Sequence, residues 1–378
     1  MRKTLLVLAL GTALLSPLAT AAEINRAAVA ETYGQIVFAS YEDTYQAART
    51  LQNAVNAFVA APSEQGLQQA RQAWLAAREP YGQTEAFRFY GGPVDDDKGP
   101  EGQLNAWPLD EAYIDGVKGK PGAGIINNRK LAITKDKLSA LNERGGEENI
   151  ATGYHAIEFL LWGQDFDAAG AGKRAVSDFV DGKAANADRR RAYLKTVAEL
   201  LVDDLATLVE AWKPNAANYR ARFVKDNDAV RKMMVGMGVL SRAELAGERM
   251  EVALDSRNQE DEHSCFSDNT HRDVFTNAKG IQNVWLGEYK RTDGSVVKGS
   301  SLRELVATSN AKAAERVTGD MEATMQAAAG IQAPFDQEIV RKDGRQRVQA
   351  TVAALKKQAG SLVEAAKAIG IKKLNVNG

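Results

Sequence analysis

The stretch RQRVQATVAALKKQAGSLVEAAKAIG, residues 345–370, decides the fold. Its apolar positions Val348, Val352, Leu355, Ala359, Leu362, Ala366 and Ile369 are spaced alternately four and three residues apart, the period that lines one face of an α-helix. The same pattern runs through Tyr193, Val197, Leu201, Leu205, Leu208 and Trp212 ahead of Pro214, and through Val37, Tyr41, Tyr45, Ala48, Leu51, Val55 and Phe58. Pro62-Ser63 interrupts the chain, and Ser63 is placed to cap a further helix carrying Leu67, Ala70, Trp74 and Ala77. Long helices with one apolar stripe each must bury those stripes against one another. The fold class is therefore all-α, built from helical bundles. One minor β-hairpin is expected: Tyr289–Thr292 and Ser295–Lys298 flank an Asp293-Gly294 turn.

Composition bounds the function. With Lys+Arg 48 against Asp+Glu 49 and a net charge of −1, the chain offers no broad basic field, which argues against nucleic acid as a partner. The single cysteine, Cys265, excludes an intramolecular disulfide framework and an all-cysteine metal site. Arg2 and Lys3, the apolar run Thr4–Leu15 and the small-residue site Ala19-Thr20-Ala21 read as a cleavable signal peptide, residues 1–21. No later apolar run is long enough to cross a bilayer. A periplasmic protein is expected, with peripheral outer-membrane association left open. Gly91–Asn105 and Gly163–Asp188 read as long loops, and the second marks a boundary between an N-terminal domain, 22–185, and a C-terminal domain, 186–378.

The three histidines are concentrated in two segments. His155 and Glu158 lie in GYHAIE, residues 153–158, where i,i+3 spacing on a helix puts imidazole and carboxylate on one face. Gly153 admits a ligand or another backbone closely. His263 and His271 lie in EHSCFSDNTH, residues 262–271; a helix capped by Ser267 would put Asp268 and His271 on one face as well. Brought together, these two half-sites would form a mixed N/O pocket for iron, zinc or manganese. Taken singly, an HxxE is more often a satisfied polar pair, and it is the clustering of all three histidines beside carboxylates that favours a site.

Other features read blandly. Cys265 reads as an inert buried thiol, Met233, Met234 and Met237 as core rather than a copper stripe, Asp95–Asp97 as a hydrated turn, and Arg189–Arg191 as an exposed helix start. There is no HExxH, GxSxG or glycine-rich phosphate loop.

GYHAIE matches the GxHxxE signature of the imelysin family, and EHSCFSDNTH resembles that family's second characteristic segment. Trp74, Arg78, Glu85 and NAWPLDE, residues 105–111, are similar to its N-terminal pattern. The resemblance implies an exported helical protein of two bundle-like domains with a functional pocket at their interface. It also implies kinship with iron-regulated proteins, bacterial iron-uptake components and a protein described as an insulin-cleaving peptidase. Carried over by motif, His155 and Glu158 are the leading metal ligands, joined by His263, Asp268 and His271. Asp110, Glu111, Gly153 and Ser264 are in supporting positions.

The resulting expectation is a periplasmic metal-binding protein of iron acquisition that holds an ion or its complex in an interdomain cleft. Iron is the first choice of metal and zinc the second, and envelope iron-uptake components are the expected partners. A zinc peptidase using HxxE is the enzyme alternative, although HxxE supplies two groups where hydrolysis needs three ligands, an open position and a base. A metal-free site for a peptide or haem is the third.

Overall fold

Asn25 accepts a hydrogen bond from the Ala28 amide and opens α1, Arg26–Ala60; Ser63 accepts one from the Gly66 amide and opens α2, Glu64–Thr84. These caps satisfy amides that the first turn leaves without helical partners. In the computed structural model, which describes residues 24–378, both helices bury the stripes read from their sequences, with Tyr45 half-exposed. The expected signal peptide lies outside the described residues.

The other principal helices are α3, Gly153–Trp162; α4, Ala187–Trp212; α5, Ala229–Val239; α6, Thr270–Leu286; α7, Leu302–Gly330, interrupted at Asn310; and α8, Lys342–Ala368. Helices α1 to α4 form one bundle, while α5, α6, α7 and α8 form the second. α2 lies along α6 and joins the two. The fold is all-α, and the two short strands β1, Glu288–Lys290, and β2, Val296–Lys298, pair antiparallel as a small hairpin. Tyr289 and Arg291 pin it to α1, the tyrosine hydroxyl donating to Asp43 Oδ2 at 3.0 Å. Among the described residues no helix is long and apolar enough to cross a membrane.

Two features depart from the sequence reading. α4 packs along α1 and α3, so a division at 185/186 separates it from the bundle it completes; the chain passes to the second bundle after Trp212. The glycine- and alanine-rich 163–188 segment is a loop within the first bundle, tied down by Arg174 and Arg190 on Asp115 at 3.1 and 2.7 Å. For the same reason Arg189–Arg191 is not an exposed helix start: Arg190 is buried on that carboxylate, and Arg189 donates to the carbonyls of Ile125, Ile126, Asn128 and Leu131. Second, α5 continues into a π-helical stretch, Leu240–Glu251. Its wider turn, bonded i to i+5, sets residues five apart beside each other, and Arg249 reaches Glu244 at 2.8 Å. Met233, Met234 and Met237 are buried core, as their apolar surroundings indicated.

Candidate functional site

Gly153 begins α3 at φ +83°, and a Cβ there would stand 2.5 Å from the Leu104 carbonyl oxygen. The glycine thus admits another backbone segment, which draws residues 103–107 against the start of α3. Every residue of α3 is buried. His155 Nδ1 lies 2.8 Å from Glu158 Oε2, with both side chains fully buried. Glu158 Oε1 accepts from the Ser267 amide at 2.9 Å and from its hydroxyl at 2.6 Å, a link between the bundles. Both carboxylate oxygens are therefore engaged. HxxE is a histidine held by a carboxylate, and His155 Nε2 is left buried without a partner.

The second segment brings His263 to this point. Its ring centroid is 4.8 Å from that of His155, and Trp107 packs over His155 at 5.3 Å. Asp273 Oδ2 lies 3.4 Å from His263 Nδ1, and Asn105 Nδ2 lies 3.4 Å from Nε2. Arg78 organises these partners from beneath, donating to Asp273 Oδ1 at 3.0 and 3.1 Å and to Asn105 Oδ1 at 2.6 Å. Ser264 donates its hydroxyl to Asp273 Oδ2 at 2.5 Å.

The remaining expected residues stand elsewhere. α6 starts at Thr270 after Asn269, and Asp268 precedes it with φ +59°, so Ser267 is not its cap and Asp268 and His271 do not share a helical face. His271 is half-buried, with Nδ1 3.1 Å from the Asp268 carbonyl. Among the described residues neither forms a hydrogen bond or ion pair with His155 or His263. Asp110 caps the short helix Glu111–Ile114 through the Ala112 amide. Glu111 accepts from Gln164. Cys265 is buried, and burial pushes its thiol well above the usual range, in keeping with an inert role.

Arg78, Asn105, Trp107 and Asp273 were not singled out as site residues. Two had a signal: Arg78 lies on the buried side of α2 beside Trp74 and Tyr81, and Asp273 on that of α6 with Thr270 and Asn277. A charge on an apolar stripe asks for a partner, and here the two meet.

Burial, followed by the charge of Arg78, holds the pKa of His155 well below that of a free imidazole. Burial and then Arg249 lower that of His263 to about 3. Both rings are neutral near pH 7, so each keeps one nitrogen lone pair. Burial raises Glu158 to about 8, against the pull of Ser267 and Arg78. Burial, with Asp165 and Asp336, raises Asp268 to about 7.

Among the described residues no group of three or more His, Cys, Asp or Glu side chains is arranged to hold a metal ion. The donors at hand are two neutral imidazoles, one oriented through its far nitrogen by a carboxylate as metal-binding histidines commonly are. Zinc and iron take four or more ligands. This donor set fits a cargo ion that keeps water or ligands of its own; it does not form a closed structural site.

Comparisons with known proteins agree with this architecture. The imelysin family model matches residues 37–362. The protein named iron-regulated protein A from Synechococcus elongatus is 26% identical over 336 residues, 85% of this chain and 81% of that protein. A crystal structure from Parabacteroides distasonis, described as an iron-regulated protein A precursor, superposes with a TM-score of 0.71 at 20% identity, over 92% of this chain and 97% of that one. An imelysin-like protein from Psychrobacter arcticum gives 0.65 at 13% identity, over 93% and 98%. At these identities the two structures speak to the fold alone.

Proposed function

From the premise that the chain belongs to the imelysin family, we propose that it is an iron-related binding protein of the bacterial periplasm that takes a metal ion as cargo into the seam between its bundles. One observation carries this reading: His155 is fully buried, Nε2 has no partner, Glu158 fixes the ring from behind, and His263 lies 4.8 Å away. An unsatisfied buried nitrogen is costly, and a bound ion removes that cost. In this arrangement His155 and His263 are the protein's donors. Glu158, fixed by Ser267, and Asp273, fixed by Arg78 and Ser264, orient the rings. Asp268 and His271 are not needed as ligands. Iron is placed first because the Synechococcus relative is named for iron regulation; zinc, which also accepts imidazole, is second. Envelope iron-uptake components would be its functional partners.

A peptidase on the same residues asks for more. Zinc hydrolysis needs a carboxylate base free to face a metal-bound water, whereas Glu158 is bonded at both oxygens and is largely protonated at neutral pH. Reversible capture asks only that Glu158 give up its proton as the ion binds, so that His155 Nδ1 donates to the carboxylate and Nε2 holds the lone pair.

Metal analysis of the purified protein tests this reading. Near-equimolar iron or zinc in the wild type, lost in His155→Ala and in His263→Ala, is the expected result. Metal content unchanged in both variants would remove the site. Chelator-sensitive proteolysis abolished by Glu158→Gln would turn the assignment to the enzyme.

A further inference from the structure

Between Asn105 and Asp110 the chain runs without a hydrogen bond. Asn105, 3% exposed, accepts from Arg78 at 2.6 Å and donates its amide to the Glu101 carbonyl at 3.0 Å, and Asp110 donates its amide to the Glu148 carbonyl at 2.7 Å. Among the described residues, no main-chain or side-chain group of the four residues between them, Ala106-Trp107-Pro108-Leu109, bonds to a protein atom. Leu109 is buried at one end, whereas Pro108 is exposed and Trp107 half-buried. A strap fixed at both ends and held between them by packing alone opens at small cost, because no set of bonds has to break.

Trp107 ties this strap to the site. Its indole packs on the His155 ring at 5.3 Å and on Phe266 at 6.4 Å, and with His263 it lines a cleft of 410 Å3 between the bundles. His155 is fully buried behind that lining, and its Nε2 has no protein partner. Two rings thus stand against both the cleft and His155, and they are held differently. His263, 2% exposed, faces Asp273 Oδ2 and Asn105 Nδ2 at 3.4 Å each, and Arg78 donates to both of those partners. Trp107 has no such polar hold. Of the two, the indole is the ring that can swing aside.

We propose that Trp107 is the gating residue of the imidazole pair: its indole swings out with the strap to connect the cleft with His155, and swings back to seal the ring from water. The inference rests on the metal-cargo reading above for what passes and adds how it passes; the gate itself can be read without metal. Indole is a donor only and offers an ion no lone pair, so Trp107 governs passage and takes no place among the ligands. A gate sets the height of a barrier and leaves the two end states alone. Its removal therefore quickens entry and exit by the same factor and keeps the affinity.

Carbethoxylation of the metal-free full-length protein by diethyl pyrocarbonate, followed at each histidine by mass spectrometry, reads the gate directly. At pH 8.5, above the value of about 8 to which Glu158 is raised, His155 Nε2 carries the lone pair that the reagent attacks. The expected result is His155 labelled about tenfold faster in Trp107→Ala and about threefold faster in Trp107→Phe, with the half-buried His271 unchanged in both. Stopped-flow loading with Zn2+ and release of Zn2+ to a chromophoric chelator should both quicken about tenfold in Trp107→Ala, with Kd kept within about threefold. His155 labelling at the wild-type rate in both variants overturns the proposal. So does acceleration of His155 and His271 alike, which is loosening of the whole fold, and so does faster release with unchanged loading, which makes Trp107 a binding contact. If Trp107→Ala does not fold, Trp107→Phe decides by the same comparison. A wild type that takes up no Zn2+ yet shows Trp107-dependent labelling loses the cargo reading and keeps the gate. One that loads Zn2+ at a rate independent of Trp107, with labelling unchanged, keeps the cargo reading and loses the gate.

Discussion

Glu158 shows how one residue can set the chemistry of another. When it is protonated, its proton points at His155 Nδ1, and the neutral ring carries its own hydrogen on Nε2. When it is ionised, Nδ1 donates and Nε2 has the lone pair that a metal needs. With Glu158 raised to about 8, metal uptake should strengthen from pH 6.5 to 8.5 and release a proton, measurable by calorimetry in buffers of different ionisation enthalpy; Glu158→Gln should abolish both. Stability follows the same groups with opposite signs. Glu158 is raised from 4.5, so its contribution is complete below that value and lost as pH rises through about 8. His263 is lowered from 6.5 to about 3, so its contribution is complete above 6.5 and lost as pH falls toward 3. Each proton changes stability by about 1.4 kcal/mol per pH unit within its window. Between 4.5 and 6.5 the two slopes oppose each other, so Tm should be highest there, falling as pH rises from 6.5 through about 8 and again as pH drops below 4.5 toward 3; Glu158→Gln should remove the fall above 6.5 and leave Tm declining from 6.5 downward. Arg78 and Asp273 supply a further check, both being 2% exposed. Asp273→Leu or Arg78→Met alone strands a buried charge and should cost about 3–5 kcal/mol in urea unfolding; the double variant should cost less than the sum.

At the level of elements, the helices that carry single stripes were legible because burial imposes a period of 3.6 residues on them. The start of α6 was not. Ser267 has the chemistry of a cap, yet both its amide and its hydroxyl are given to Glu158. The helix begins at Thr270, and the i,i+3 relation assumed for Asp268 and His271 disappears. Tertiary bonding outweighed local capping there, which no window of sequence could show. The contact of α2 with α6 depends on two glycines. A Cβ on Gly280 would meet the Gln83 carbonyl at 2.3 Å, and one on Gly82 would meet Thr276 Oγ1 at 2.0 Å. The carbonyl belongs to a helix backbone and cannot turn aside. Gly280→Ala should therefore destabilise by about 2 kcal/mol and weaken metal uptake by parting the bundles, and unfolding and loading measured on the same preparation would test both effects.

Across the whole molecule, the sequence indicated that His155 and the segment around His263 belong together, because the histidines are confined to those two stretches. Which atoms meet was not legible. His155 and Glu158 face each other instead of a shared ligand, and His263 rather than His271 completes the pair. The partners that hold them, Arg78, Asn105 and Asp273, come from separate segments of the chain and meet only once the bundles close. Nor did the sequence reveal that α4 belongs with α1, since an apolar stripe states that a helix is buried but not against what. The central claim is that the bundle seam presents His155 Nε2 and His263 to a metal ion. Anomalous diffraction from crystals of the wild-type protein loaded with Zn2+ tests it most directly. A peak about 2.0–2.1 Å from His155 Nε2, with His263 within coordinating reach, is the expected result; a peak only elsewhere, with that nitrogen hydrogen-bonded to a protein atom, would contradict it.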